Sequence, residues 1–216
     1  MRLKVKGIII DLDGTLVDSK EAYREALAKA MEKLGIKEFN HNLVLEIPRR
    51  LEQNLPINDL LPEIHIEKFL DAYLTAYYKL AEDKAKLLPN MQETLETLSR
   101  KAKLALLTMR YVPCKNVVNW LGKVGLAKYF QCVVTALNTK FPKPSPKALV
   151  DCARRLDVEV DECAIVGDSV ADVRAGKNAG AKTVAVLSGI FTREELEKEK
   201  PDLIIKDIGE LPFFLD

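Results

Sequence analysis

Net charge is what this sequence most plainly lacks: 33 Lys and Arg stand against 32 Asp and Glu among 216 residues. No global field draws the chain to nucleic acid or to an anionic membrane surface, and small charged molecules are the more natural partners. Cysteine is scarce as well. Cys114, Cys132, Cys152 and Cys163 lie far apart with no paired spacing, which suggests neither a zinc site nor a redox pair and reads them as small buried hydrophobes in a reducing compartment. Long apolar runs are also missing. The N-terminal one, behind Arg2, Lys4 and Lys6, is cut at Asp11 and is too short for a signal-peptide core, and no later stretch has the length of a bilayer span. The expectation is a cytoplasmic protein, monomer or homodimer, with no nucleic-acid and no membrane partner. Repeats, low-complexity stretches and long linkers are absent too, so the length suits one large domain or a core with a modest second domain. Charged residues make up 30% of the chain, many of them Lys and Glu, a composition found in heat-adapted proteins.

The chemistry that is present is organised around residues 5–15. Gly7 and the run Ile8, Ile9, Ile10 read as a short strand buried on both faces, because β-branched residues without polar alternation suit a central parallel strand. Asp11 and Asp13 come next, where the strand gives way to a loop, and Gly14 lets the backbone turn there. Two carboxylates two positions apart repel unless something neutralises them, and a hard divalent cation with oxygen ligands, Mg²⁺ above all, is the usual partner. Strand ends of open α/β sheets are where ligands bind. The pair therefore reads as a metal and phosphate site.

From residue 19 to 34, Ala22, Ala26, Leu27, Ala30, Met31 and Leu34 recur at helical spacing, with Gly35 placed to end the helix. Pro48 and Pro56 interrupt the next stretch, which predicts short helices joined by loops, with the basic pair Arg49-Arg50 in a break between them. A second amphipathic helix starts at Glu63, and its stripe of Phe69, Tyr73 and Tyr77 reads as core packing. After residue 89 the grammar changes to strands alternating with helices. The strands are predicted at 104–108, 132–135, 163–166, 183–187 and 203–205, with helices between the first four, a pattern that requires a mostly parallel sheet. Residues 19–86 thus form a helical insert between the first and second core strands. Residues 1–18 and 87–216 form the core.

Asp11-Leu12-Asp13-Gly14-Thr15 resembles the first motif of the haloacid dehalogenase superfamily, most of whose members transfer phosphoryl groups through an aspartyl-phosphate. Three further motifs occur in order: Thr108 after an apolar run, Lys143 opening Lys143-Pro144-Ser145-Pro146, and Gly167-Asp168 leading to Asp172. The resemblance implies an α/β fold, a Rossmann-like, mostly parallel sheet core with a helical cap domain inserted after the first strand. It implies that the insert is a mobile cap jointed at 17–18 and 87–90, where Asn90 stands in place of a frequent Gly and is the residue best able to take its positive φ. It makes Asp11 the nucleophile, Asp13 the general acid and base, and Thr108 and Lys143 the phosphate-binding pair. It gives Mg²⁺ the Asp11 carboxylate, the Asp13 backbone carbonyl and Asp168, with Asp172 outside the direct ligands, orienting a metal-bound water or bracing Lys143. Ser145-Pro146 reads as an N-cap followed by a first-turn proline.

The same resemblance assigns substrate reading to the basic pair of the cap, Arg49 foremost and Arg50 beside it. Three residues depart from the pattern: Met109 where many relatives carry Asn, Pro142 where Gly is common, and Arg110. They spare the catalytic groups and alter the pocket wall. The expected activity is a Mg²⁺-dependent phosphatase acting on a small phosphorylated metabolite, similar to phosphoglycolate phosphatases. Its alternatives are a phosphomutase of the β-phosphoglucomutase kind and a catalytically silent phosphate-binding regulator. A dehalogenase is disfavoured because that branch lacks the second Asp, and a phosphonatase because no lysine of the insert stands out for imine formation.

Overall fold

The computed structural model describes residues 2–62, 64–84 and 86–216. Contacts divide the chain into two compact units, Met1–Val17 with Leu87–Asp216, and Asp18–Lys86. In chain order the elements are β1 (Gly7–Ile10), β2 (Val17–Asp18), α1 (Lys20–Lys33), α2 (Leu43–Glu52), α3 (Ile66–Asp83), β3 (Lys86–Leu87), α4 (Met91–Lys101), β4 (Lys103–Thr108), α5 (Cys114–Lys123), β5 (Phe130–Thr135), α6 (Pro146–Leu156), β6 (Cys163–Gly167), α7 (Val170–Ala179), β7 (Lys182–Val186), α8 (Arg193–Lys198) and β8 (Leu203–Ile205). The short strands β2 and β3 pair with each other.

The larger unit is a six-stranded sheet in the order β5-β4-β1-β6-β7-β8, every neighbouring pair parallel. β1 is central because its four residues are buried on both faces, and it pairs Ile9 with Ala105 on one side and with Ile165 on the other. On one face Ile9, Leu107, Val134 and Ile165 pack against Leu149 and Leu156 of α6. The strand order reverses between β1 and β6, and in open sheets of this kind the crevice at the carboxyl ends of such a pair is where ligands lodge. Each predicted core strand is present. The chain also forms α8 and a C-terminal 3₁₀ segment, Ile208–Phe214, for which the sequence reading has no element. A Thr192 side chain capping α8 at Glu195 N and an Asp207 side chain accepting from Gly209 N start them, so short-range capping replaces the missing apolar periodicity.

Cys152 and Cys163 are buried, Cys114 and Cys132 half-buried, and all four are free thiols.

The smaller unit is helical. Tyr23 of α1 stacks on Tyr77 of α3 with ring centroids 5.0 Å apart, and Phe69, Tyr73 and Leu80 are buried with it. The aromatic stripe is core, as its spacing predicts. Gly35 takes φ +75°, and Gly35 N and Ile36 N bond back to Glu32 O and Met31 O, closing α1 with a Schellman pair. The start expected at Glu63 lies outside the described residues, and α3 begins at Ile66.

Pro48 corrects the reading of this unit. It sits inside α2, and Arg49 and Arg50 occupy the last turn of that helix instead of a break. Leu43, Ile47 and Pro48 are buried on one face, and that burial outweighs the one backbone bond the proline forgoes. Arg50 is held within the unit: Nε donates to Glu46 Oε1 at 3.0 Å, and NH1 to Pro56 O at 3.0 Å and Asp59 Oδ1 at 2.5 Å. Arg49 is half-buried.

Candidate active site

Three strand ends supply the site. β1 runs straight into Asp11, whose N–H still donates to Val166 O of β6 at 2.9 Å, so the first carboxylate is fixed by the sheet itself. Beyond it the chain tightens: Leu12 O accepts from Leu16 N at 2.9 Å and Val17 N at 3.1 Å, and Gly14 turns at φ +79°. A side chain at Gly14 would be strained by that φ, and its Cβ would lie 2.6 Å from the Asp168 carboxylate. β4 ends on Thr108, and β6 ends on Gly167 with Asp168 next.

The loop before α6 brings in Lys143. Ser145 caps that helix through Lys147 N, with Pro146 in the first turn, as expected. Only 1% of Lys143 is exposed, and its Nζ donates to Asp11 Oδ1 at 2.6 Å, to Asp172 Oδ1 at 2.6 Å and to Leu107 O at 3.2 Å. Three acceptors around an ammonium satisfy its three protons. Asp172 is itself set by a capping box at the start of α7, where Ser169 Oγ accepts from Asp172 N and Asp172 Oδ2 accepts from Ser169 N and Oγ. That Ser-x-x-Asp signal stands in the sequence, and the motif reading of Asp172 passes it over.

Asp11, Asp168 and Asp172 each present an oxygen within 4.8 Å of the other two, all three residues buried. Burial pushes Asp11 from its ordinary 3.8 up to about 7, with Lys143 opposing the rise and the Asp172 and Asp13 charges adding to it. Burial, then the charges of Asp11 and Asp172, also push Asp168 well above the carboxylate range. Burial by itself would lower Lys143, but the neighbouring Asp11 and Asp172 carboxylates hold it above its usual value. The cluster thus sets two of its three acids, Asp11 and Asp172, directly against the Lys143 ammonium. Asp168 Oδ2 accepts from Ile190 N at 3.1 Å, while Oδ1, buried, has no hydrogen-bond partner among the described residues. A hard cation with oxygen ligands fits both features: it would take the orphaned oxygen and balance the charge. The loop after β7 shapes that place, with Ser188 Oγ donating to Gly14 O at 2.6 Å. The sequence reading contains no residue of this loop, although Ser188-Gly189 comes after a parallel strand, where functional loops gather.

Asp13 is placed apart from the acidic cluster. Its carboxylate is gripped by Arg110, Nε to Oδ2 at 2.7 Å and NH2 to Oδ1 at 2.7 Å, both side chains buried. Thr108 Oγ1 accepts from Arg110 N at 3.2 Å. The structure therefore gathers Asp11, Lys143, Asp168 and Asp172 at one crevice, with Thr108 and Asp13 joined through Arg110. Arg49 and Arg50 belong to the helical unit.

A family model described as haloacid dehalogenase-like hydrolase matches residues 8–186. The chain belongs to this family. As a haloacid dehalogenase-like hydrolase it is 31% identical over 217 residues to a phosphoglycolate phosphatase of Vibrio parahaemolyticus, covering 96% of this chain and 94% of the relative. It is 30% identical over 214 residues to a pyrophosphatase of Bacillus velezensis, covering 96% and 95%. Among solved structures, a haloacid dehalogenase-like hydrolase of Streptococcus pneumoniae superposes with a TM-score of 0.80 at 19% identity, covering 96% of this chain and 97% of that one, a likeness of fold. Among the described residues no helix is long and apolar enough to cross a membrane.

Proposed function

We propose that this hydrolase is a Mg²⁺-dependent phosphomonoesterase that works through an aspartyl-phosphate on Asp11, with a small acidic ester such as phosphoglycolate as its substrate. The observation that carries the reading is the Lys143 bridge: a buried ammonium 2.6 Å from both Asp11 and Asp172, in a cluster whose Asp168 has an oxygen without a hydrogen-bond partner among the described residues. The Vibrio relative supports the substrate class. Four free thiols suit the reducing conditions of a cytoplasm.

In this mechanism an Asp11 oxygen attacks phosphorus, the ester P–O bond breaks, and the departing alkoxide takes a proton from Asp13. Water then attacks the phosphorus of the aspartyl-phosphate, gives a proton to Asp13, and frees orthophosphate and Asp11. Splitting one displacement into two is the gain of a carboxylate nucleophile, and a carboxyl two residues on can serve both proton transfers. Lys143 and the Thr108 hydroxyl would hold the phosphoryl oxygens without reorganising. Asp172 braces Lys143. Mg²⁺, held by Asp11, Asp168 and the Asp13 carbonyl, would supply charge stabilisation at phosphorus. Residues 19–86 would act as the cap, with Arg49 reading the part of the substrate that does not react.

Orthophosphate release from a panel of phosphate esters with Mg²⁺, together with product analysis on sugar phosphates, tests the reading. Release from small acidic esters is expected. Isomerised sugar phosphate without orthophosphate would replace hydrolase by mutase.

A further inference from the structure

Arg110 takes no part in these steps, yet it is buried in the site and bonded there through both side chain and backbone. Its side chain is 5% exposed, and its guanidinium lies side by side with Asp13, one nitrogen on each oxygen at 2.7 Å. Its backbone is pinned at both ends, N–H to Thr108 Oγ1 at 3.2 Å and carbonyl accepting from Ala136 N at 3.1 Å. The base of the side chain is therefore fixed where β4 and β5 finish, and movement is left to the stem and head.

This geometry bears on proton transfer. A bidentate pair fills one in-plane position on each Asp13 oxygen, the side on which a carboxyl ordinarily carries its proton, and leaves the outer side of each oxygen open. Asp13 can hand a proton from that inner side to an alkoxide only when Arg110 has turned away from at least one oxygen. A buried guanidinium turns away readily only toward another anion, since leaving it unpaired out of water is costly. The transferring phosphoryl group is already engaged with Asp11 and Lys143. The remaining group within reach is one on the leaving portion of the substrate, whose ester oxygen must itself lie against Asp13.

We propose that Arg110 is a specificity-determining residue that exchanges Asp13 for a carboxylate or second phosphate on the leaving portion of the substrate. Acidic esters thereby release Asp13 for proton transfer, and neutral esters leave it clamped. The inference rests on the reading of Asp13 as acid and base, and the planar fork is needed because it matches both anions in the same two-point geometry. It adds to the reading by Arg49 a second determinant of preference for acidic esters, carried by the core unit outside the helical insert.

The test compares 2-phosphoglycolate with ethyl phosphate, an uncharged-tail ester of similar length, in the wild type, Arg110→Lys and Arg110→Met. Loss of a charge-assisted bond corresponds to roughly 10- to 100-fold, and the ratio of kcat/KM for the acidic over the neutral ester is expected to fall by about that factor in both variants. Because Arg110→Met leaves a buried carboxylate unpaired and could fail to fold, the charge-keeping Arg110→Lys carries the test alone if it must. A second readout is binding in the Asp11→Asn background: adding Arg110→Lys should weaken 2-phosphoglycolate by a like factor and ethyl phosphate less. An unchanged ratio in both kinetics and binding overturns the proposal and makes Arg110 a prop for Asp13. A wild type that frees no orthophosphate from either ester overturns the hydrolase reading itself, and the inference with it.

Discussion

Gly189 stands so close to Asp168 that a Cβ built on it would lie 1.6 Å from Asp168 Oδ2. No rotation of a methyl group relieves such an approach; the carboxylate would have to move, and with it the orphaned Oδ1. Gly189→Ala is therefore expected to weaken Mg²⁺ binding by roughly 10- to 100-fold, the usual effect of disturbing what positions a metal ligand. Calorimetric titration of Mg²⁺ reads this directly. Wild-type affinity in the variant would show that Asp168 is not a ligand.

Asp11→Asn should abolish orthophosphate release, by roughly 10⁴-fold or more, while the fold survives, because an amide is too poor a nucleophile to form the covalent intermediate. Single-turnover assays suffice. Near-normal release would rule out the aspartyl-phosphate route.

Asp13→Asn should differ in kind. An aryl phosphate, whose leaving group needs no proton, should lose less activity than an alkyl phosphate, by a contrast of roughly 10²-fold or more. Equal losses on the two esters would leave Asp13 a structural role only.

Lys143→Met removes the ammonium that bridges the acidic cluster, whose members Asp11 and Asp172 are almost wholly buried. Breaking a buried pair from one side costs about 3–5 kcal/mol. Urea unfolding in the presence of a chelator should report a loss of that size, partly restored by saturating Mg²⁺. Unaltered stability without metal would mean the acids are neutral in the resting protein.

The raised values of Asp11 and Asp168 set a pH dependence for the metal-free protein. An unfolded Asp11 ionises near 3.8, the folded one near 7, so between those limits the unfolded chain has given up a proton that the native state keeps, and stability falls as pH rises. Carboxylates lowered by their partners, Glu21, Asp59 and Glu194, act in the opposite sense but have finished doing so above about pH 5. Denaturant midpoints with chelator should thus be lower at pH 7 than at pH 5. Saturating Mg²⁺, which favours the ionised carboxylates, should flatten or reverse the trend. A metal-free midpoint that climbs from pH 5 to 7 would contradict the burial of these charges.

Much of this architecture is written in short stretches of sequence. The run Ile8 to Ile10 is apolar on both faces and becomes the central strand; Asn90 takes φ +60° where an αL residue is needed, and Ser145 with Pro146 starts α6. Each depends on a few neighbouring residues, whose steric and hydrogen-bonding preferences are local, and the order of apolar strands and helices then leaves a parallel sheet with acids at its strand ends. Other features came only with the folded chain. Pro48 stays in a helix because burial elsewhere holds it there. Asp13 and Arg110 are 97 positions apart and meet because β1 and β4 are neighbours in register. Gly189 reaches Asp168 because β7 pairs with β6, Gly167 opposite Ala185, which brings the loops beyond them together. Sequence periodicity determines which segments form strands, but which carboxylate meets which cation depends on strand order and register, and those are settled by packing across the whole core.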